Sequence, residues 1–395
     1  MKIIFFMANN FFTKKNYIDL YVEAIKKYFD VEIWCLLKLN EKKYQDYNKI
    51  IVPDKIADTI YIKSYNDLEE KIKNIPKNSI FITQYYNPFR QKEIFDLIKK
   101  YNGILIDVYK DSLNYYLDEK IKLNAENMPL KKKFFLKIIT NVKIRPLIYF
   151  LKRKCHFKKV FKDYLPDYCL TIRNLGGRPA KRYHYIHHIK YDSYLESIKN
   201  HSIVNYKYAV FVDSNLPFLS DIIDSRGEKS VEPNKYFNLL NNFFDYLEKK
   251  YNLKIIIAPH PKADYDNSIF KQREIIKYKT DNLIKNSEIV ITHDSTSIIN
   301  AVLSKKNLVF VYYNEMLETG TKDWALRTIE YSKILKAPLV DLEKEFNLNL
   351  NINNKIFDKF VSNFIINKKK KKFSNEDIII DLLKSLKNKN FKNFN

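Results

Sequence analysis

Along the first half of the chain, short apolar runs alternate with patterns of helical period. The spacing predicts strands over Lys2–Met7, Val31–Leu37, Ser79–Thr83 and Gly103–Val108, and helices over Tyr17–Tyr28 and Gln91–Tyr101. A second series begins near Lys207, with strands over Tyr208–Val212, Lys254–Ala258, Ile289–Thr292 and Leu308–Tyr312. Helices are expected over Tyr236–Lys250, Asp281–Asn286 and Thr296–Ser304. Strand runs that are apolar throughout, each followed by a helical stretch, belong to parallel sheets covered by helices, so the fold class is α/β.

A chain of 395 residues suits two domains, since one hydrophobic core rarely grows beyond about 250–300 residues. The boundaries expected are 1–200 for the first unit, 201–350 for the second and 351–395 for a Lys-rich helical tail. The tail carries the run Lys368–Lys372 and an amphipathic pattern over Asp377–Leu386. Residues 130–162 stand apart: they are dense in Lys and Arg, contain no Asp or Glu, and interleave those charges with Phe, Leu and Ile. Such a segment suits a helix lying on an anionic inner-membrane surface, or one packed between domains.

The composition is 46% hydrophobic, ample for packed cores, and the formal charge is +24, which attracts polyanions without choosing among them. The RNP-type aromatic signature of RNA-binding modules is absent, so no nucleic-acid partner is expected. Three scattered cysteines, Cys35, Cys155 and Cys169, suit a reducing, cytoplasmic compartment rather than a disulfide framework. The opening run Lys2–Met7 is too short for a signal peptide and reads as a buried strand; no stretch approaches the roughly 20 apolar residues of a spanning helix.

The chain lacks GxGxxG, the P-loop pattern, CxxC and HExxH. One DxD-like triplet, Asp264-Tyr265-Asp266, sits in a polar turn, and neither a metal nor a cofactor is expected. The informative segments follow predicted strands in the second half, where an open parallel sheet binds its ligands. Asp213 follows the first, and a carboxylate there can serve as a base or a nucleophile. His260 follows the second, held between Pro259 and Pro261 with Lys262 next. After the third, Asp294, Ser295, Thr296 and Ser297 lead into a helix, a setting that suits an anion. The same position in the first half holds Gln84, Tyr85, Asp107 and Lys110, which we read with His188 as the acceptor side.

The series Asp213 with Leu216-Pro217-Phe218, then His260-Pro261, then the Ser/Thr cluster before a helix resembles bacterial surface-carbohydrate transferases that use CMP-activated nonulosonates or Kdo. Gly176-Gly177 and His187–Leu195 extend the similarity, which spans roughly residues 170–315. The resemblance implies a GT-B fold, two Rossmann-like domains facing each other across a cleft. It further implies a CMP-activated sialic-, pseudaminic-, legionaminic- or Kdo-type donor and a hydroxyl of a bacterial surface glycan as acceptor. His260, Pro261, Lys262 and Asp294 to Ser297 would hold the donor, Asp213 and His260 would be catalytic, and the enzyme would work in the cytoplasm, peripheral to the inner membrane. Asp221 and Asp224 lie near enough to compete with Asp213 for the carboxylate role. A related transferase with a UDP-, GDP- or CDP-glycerol donor would use the same anion cradle.

Overall fold

The structure is a computed structural model describing residues 1–8, 11–39, 56, 58–84, 86–87, 91–109, 113, 117–118, 121, 163–172, 179–219, 222–223, 227–350 and 352–392. Residues 130–162, Tyr85, Lys110, Gly176, Gly177, Asp221 and Asp224 lie outside the described residues.

The chain forms two compact units. One comprises Met1–Ser112, Pro129–Ile189 and Asn367–Asn395; the other comprises Leu113–Met128 and Lys190–Ile366. The longer stretch of the second unit thus runs Lys190–Ile366, and the segment from Asn367 lies with the first unit. Its helix Asn375–Lys392 places Ile378, Ile379, Leu382, Leu383 and Leu386 in that unit's core.

Unit 1 contains a parallel sheet in the order β3-β2-β1-β4-β5-β6-β7. Its strands are β1 (Lys2–Met7), β2 (Asp30–Cys35), β3 (Thr59–Tyr61), β4 (Ile80–Gln84), β5 (Ile104–Val108), β6 (Tyr168–Thr171) and β7 (Arg182–Tyr185). Every residue from Ile3 to Ala8 is buried, as a strand covered on both faces requires. Alternation then divides them: Ile3, Phe5 and Met7 enter one core, and Ile4, Phe6 and Ala8 the other.

Unit 2 repeats the plan with β8 (Tyr208–Val212), β9 (Lys254–Ala258), β10 (Glu274–Ile275), β11 (Ile289–Thr292), β12 (Asn307–Tyr312) and β13 (Leu339–Asp341). The order is β10-β9-β8-β11-β12-β13, again parallel throughout. The strand order reverses between β1 and β4 in unit 1, and between β8 and β11 in unit 2. At such a reversal the flanking loops part and leave a crevice at the carboxyl edge.

Two helical expectations are corrected. The helix expected over Tyr17–Tyr28 is two short ones, Lys14–Asp19 and Val22–Lys26, separated by Tyr21 at φ 56°. In one straight helix Leu20 and Val22 would lie about 200° apart; the break lets both enter the core. The helix expected over Thr296–Ser304 begins only at Ile298 and runs to Leu303, because Ser295 to Ser297 form a turn of their own. The strands β3, β6, β7, β10 and β13 are too short, or too polar, to be read from periodicity. No helix among the described residues is long and apolar enough to cross a membrane.

Candidate functional site

Three loops of unit 2 meet at the β8/β11 reversal. Asp213 leaves β8 with its backbone N–H bonded to the Ala258 carbonyl at 3.0 Å, continuing the β8–β9 ladder by one residue. The Asp213 side chain is almost fully buried. Its Oδ1 accepts the Asn215 N–H at 2.9 Å, a local turn that Asn215 closes in the left-handed region at φ 53°. Its Oδ2 accepts the His260 backbone N–H at 3.3 Å and the Tyr265 hydroxyl at 2.8 Å. One carboxylate thus ties the loop after β8 to the loop after β9. Burial raises its pKa above the ordinary carboxylate value, and the three donors pull it back.

His260 is half-buried. Its Nδ1 accepts the Lys262 backbone N–H at 3.2 Å, and the Ala263 N–H bonds to its carbonyl at 2.8 Å. An Nδ1 that accepts a backbone proton cannot carry one of its own, so the neutral ring holds its proton on Nε2. Pro261 and Lys262 are exposed in the turn that follows.

The loop after β11 is joined to the same place. Ser214 Oγ donates to the Asp294 carbonyl at 3.3 Å, and Thr292 Oγ1 donates to the Val212 carbonyl at 3.2 Å. Ser295 is half-buried and Thr296 exposed, whereas Ser297 is buried, its N–H donating to Ser295 Oγ at 3.2 Å. The helix that follows has six residues and no side-chain cap, so hydroxyls rather than a long helix dipole are the polar resource here. The Asp294 side chain is only 8% exposed and faces Arg327, whose Nε donates to its Oδ2 at 2.5 Å. Arg327 also reaches Asp118 Oδ1 at 3.3 Å. Burial lifts the Asp294 pKa while the guanidinium pulls it down.

Beneath the loop, His293 is fully buried between the Tyr236 hydroxyl, 3.1 Å from Nε2, and the Val311 carbonyl, 2.7 Å from Nδ1. A carbonyl can only accept, so Nδ1 carries the proton and Nε2 takes that of Tyr236. Burial lowers the His293 pKa to about 4, which keeps the ring neutral as a structural spacer.

The sequence reading did not single out Tyr265, Asn215, Arg327 or Asp118. The only signal was indirect: Tyr265 stands inside the DxD-like triplet, whose Asp266 caps the short 3₁₀ turn Asn267–Phe270 through the Ser268 N–H at 2.7 Å. Tyr265 instead turns inward, and burial keeps its hydroxyl protonated well above the ordinary phenol range.

In unit 1, Gln84 ends β4 and Asp107 lies on β5, both buried. Asp107 Oδ1 accepts the Tyr86 N–H at 3.0 Å, and Gln84 Oε1 accepts from Asn16 Nδ2 at 3.2 Å. His188 is buried after β7. His187, beside it, is bonded through Nδ1 to the Asn367 N–H at 2.9 Å.

No protein-family model matches the chain, and no curated protein matches it in sequence. Solved structures that align with the chain include the UDP-GlcNAc 2-epimerase from Methanocaldococcus jannaschii, at 15% identity and TM-score 0.43, covering 91% of this chain and 98% of that one. The spinosyn forosaminyltransferase SpnP aligns at 11% identity and TM-score 0.44, over 98% of this chain and 99% of its own. A variant of the wall teichoic acid polymerase TagF aligns at 16% identity and TM-score 0.47, over 98% and 90%.

Proposed function

We propose that the chain is a GT-B glycosyltransferase that moves an acidic sugar from a CMP-activated donor to a glycan hydroxyl. The observation that carries this reading is the meeting of the Asp213, His260 and Asp294–Ser297 loops at the strand-order reversal of unit 2. A nucleotide's phosphate needs donors without a competing free carboxylate. Ser295, Thr296, the Nε2 proton of His260 and the ammonium of Lys262 are donors, and Arg327 compensates the carboxylate of Asp294.

When the acceptor hydroxyl oxygen bonds to the anomeric carbon, its proton passes to solvent water, the carbon–oxygen bond to CMP breaks and the electron pair of that bond goes to the phosphate. That charge is met by the hydroxyls and by His260 Nε2–H, which can donate its proton. Asp213, with its oxygens engaged by Asn215, His260 and Tyr265, acts here as a positioning residue. It sets the turn that presents the imidazole, and the base or nucleophile role expected for it is not part of this reading.

Nucleotide binding tests the proposal. Titration calorimetry with CMP, CDP, UDP and GDP should show preference for the cytidine nucleotides, followed by mass-spectrometric detection of CMP released from CMP-nonulosonates or CMP-Kdo. Tighter binding of UDP or GDP would replace the donor class, and CDP binding with glycerol phosphate transfer would point to a CDP-glycerol enzyme.

A further inference from the structure

Among the described residues, Tyr278 is the most exposed of the large apolar and aromatic side chains, at 73%. Its backbone lies in the left-handed region at φ 64°. That conformation costs free energy for any residue with a Cβ, and Gly or Asn adopts it more readily. A ring left in water offsets none of the cost by burial. For folding alone the position favours Gly or Asn, so a strained and exposed aromatic residue there calls for another explanation.

Position supplies one. β10 flanks β9 at the outer edge of the unit 2 sheet, and their ladder runs one residue further, from the Ile276 N–H to the Ile257 carbonyl at 2.9 Å. Tyr278 follows two residues later, at the carboxyl edge, next to the loop that carries His260. Lys277 shows how near the two are. Its Nζ donates to the Ala263 carbonyl at 2.7 Å, and the Ala263 N–H closes the His260 turn. The same ammonium lies 5.4 Å from the centre of the Tyr278 ring.

Neighbouring strands lie about 4.8 Å apart, so the end of β10 is two spacings, roughly 10 Å, from that of β8 and the reversal. A ribose spans such a gap between a phosphate and its base. On the opposite flank of the reversal Tyr313 follows β12, but its side chain is fully buried and offers no face.

We propose that Tyr278 is the platform on which the base of the bound nucleotide stacks. Every base has a flat π-face, so a ring held in water at this edge adds affinity without choosing the base. The inference rests on the reading that a nucleotide's phosphate lies at the β8/β11 reversal; it does not require that nucleotide to be CMP.

Titration calorimetry of the full chain with CMP, UMP, GMP and ribose 5-phosphate tests it, with thermal unfolding followed alongside. In the natural chain the tightest nucleotide should bind about tenfold or more tightly than ribose 5-phosphate. Tyr278→Asn should weaken that nucleotide about tenfold and leave ribose 5-phosphate unchanged. Its melting temperature should stay equal or rise, since Asn suits the left-handed backbone. Tyr278→Phe keeps the ring and should bind as the natural chain does. Undiminished nucleotide binding in Tyr278→Asn overturns the platform, as does a natural chain that binds no nucleotide more tightly than ribose 5-phosphate. A lower melting temperature with equal losses for nucleotide and ribose 5-phosphate would make the ring structural and overturn it as well. UMP or GMP binding more tightly than CMP, with the loss in Tyr278→Asn retained, leaves the platform standing and removes the cytidine donor reading instead.

Discussion

The Tyr265 hydroxyl lies 2.8 Å from Asp213 Oδ2 and 2.9 Å from Asn215 Oδ1. Its single proton goes to the carboxylate, the stronger acceptor. Tyr265→Phe removes that proton and takes from a buried carboxylate oxygen its 2.8 Å hydrogen bond, leaving the longer one from the His260 N–H in place. Unit 2 should lose about 1–3 kcal/mol by urea denaturation. A loss near zero would show that Tyr265 does not hold the carboxylate.

His260→Ala removes the Nε2 proton from the proposed phosphate site. Transfer should fall by roughly a hundredfold while circular dichroism and melting temperature stay unchanged. Unchanged turnover in the folded variant takes His260 out of the mechanism.

His293 gives the second unit a pH dependence whose sign can be worked out. In the unfolded chain its imidazole takes a proton near pH 6.5, whereas in the folded protein it resists until about pH 4. Its contribution is therefore complete above the unfolded value and is lost as pH falls from about 6.5 to about 4, by about 3 kcal/mol in all. Stability measured across this window should fall less steeply in His293→Gln than in the natural chain. Parallel curves would mean that the ring is protonated in the folded protein.

Arg327 is 13% exposed at its side chain and Asp294 is 8% exposed. Arg327→Met strands the Asp294 carboxylate in the interior at a cost of about 3 kcal/mol. The double variant Arg327→Met with Asp294→Asn should lose clearly less than the single one, because the stranded charge is gone. Equal losses would make the guanidinium's packing on Trp324, 5.2 Å from its ring centroid, the dominant contribution.

The apolar strand runs were legible because they are uninterrupted: β8, β9 and β11 fall where the periodicity places them, as short apolar runs buried on both faces of a covered sheet. Candidate chemistry was legible as far as strand ends are, which brought Asp213, His260 and the Ser295–Ser297 cluster into view. Partners were another matter. That Asp213 faces inward to Tyr265, that Asp294 meets Arg327, and that Gln84 bonds to Asn16 depend on residues 33 to 68 positions apart, brought together by strand order and by loop turns that no local pattern encodes. Hydrophobic period is a property of neighbouring residues and survives in one dimension. The direction of a hydrogen bond is a property of two loops at once, and only the folded sheet decides it.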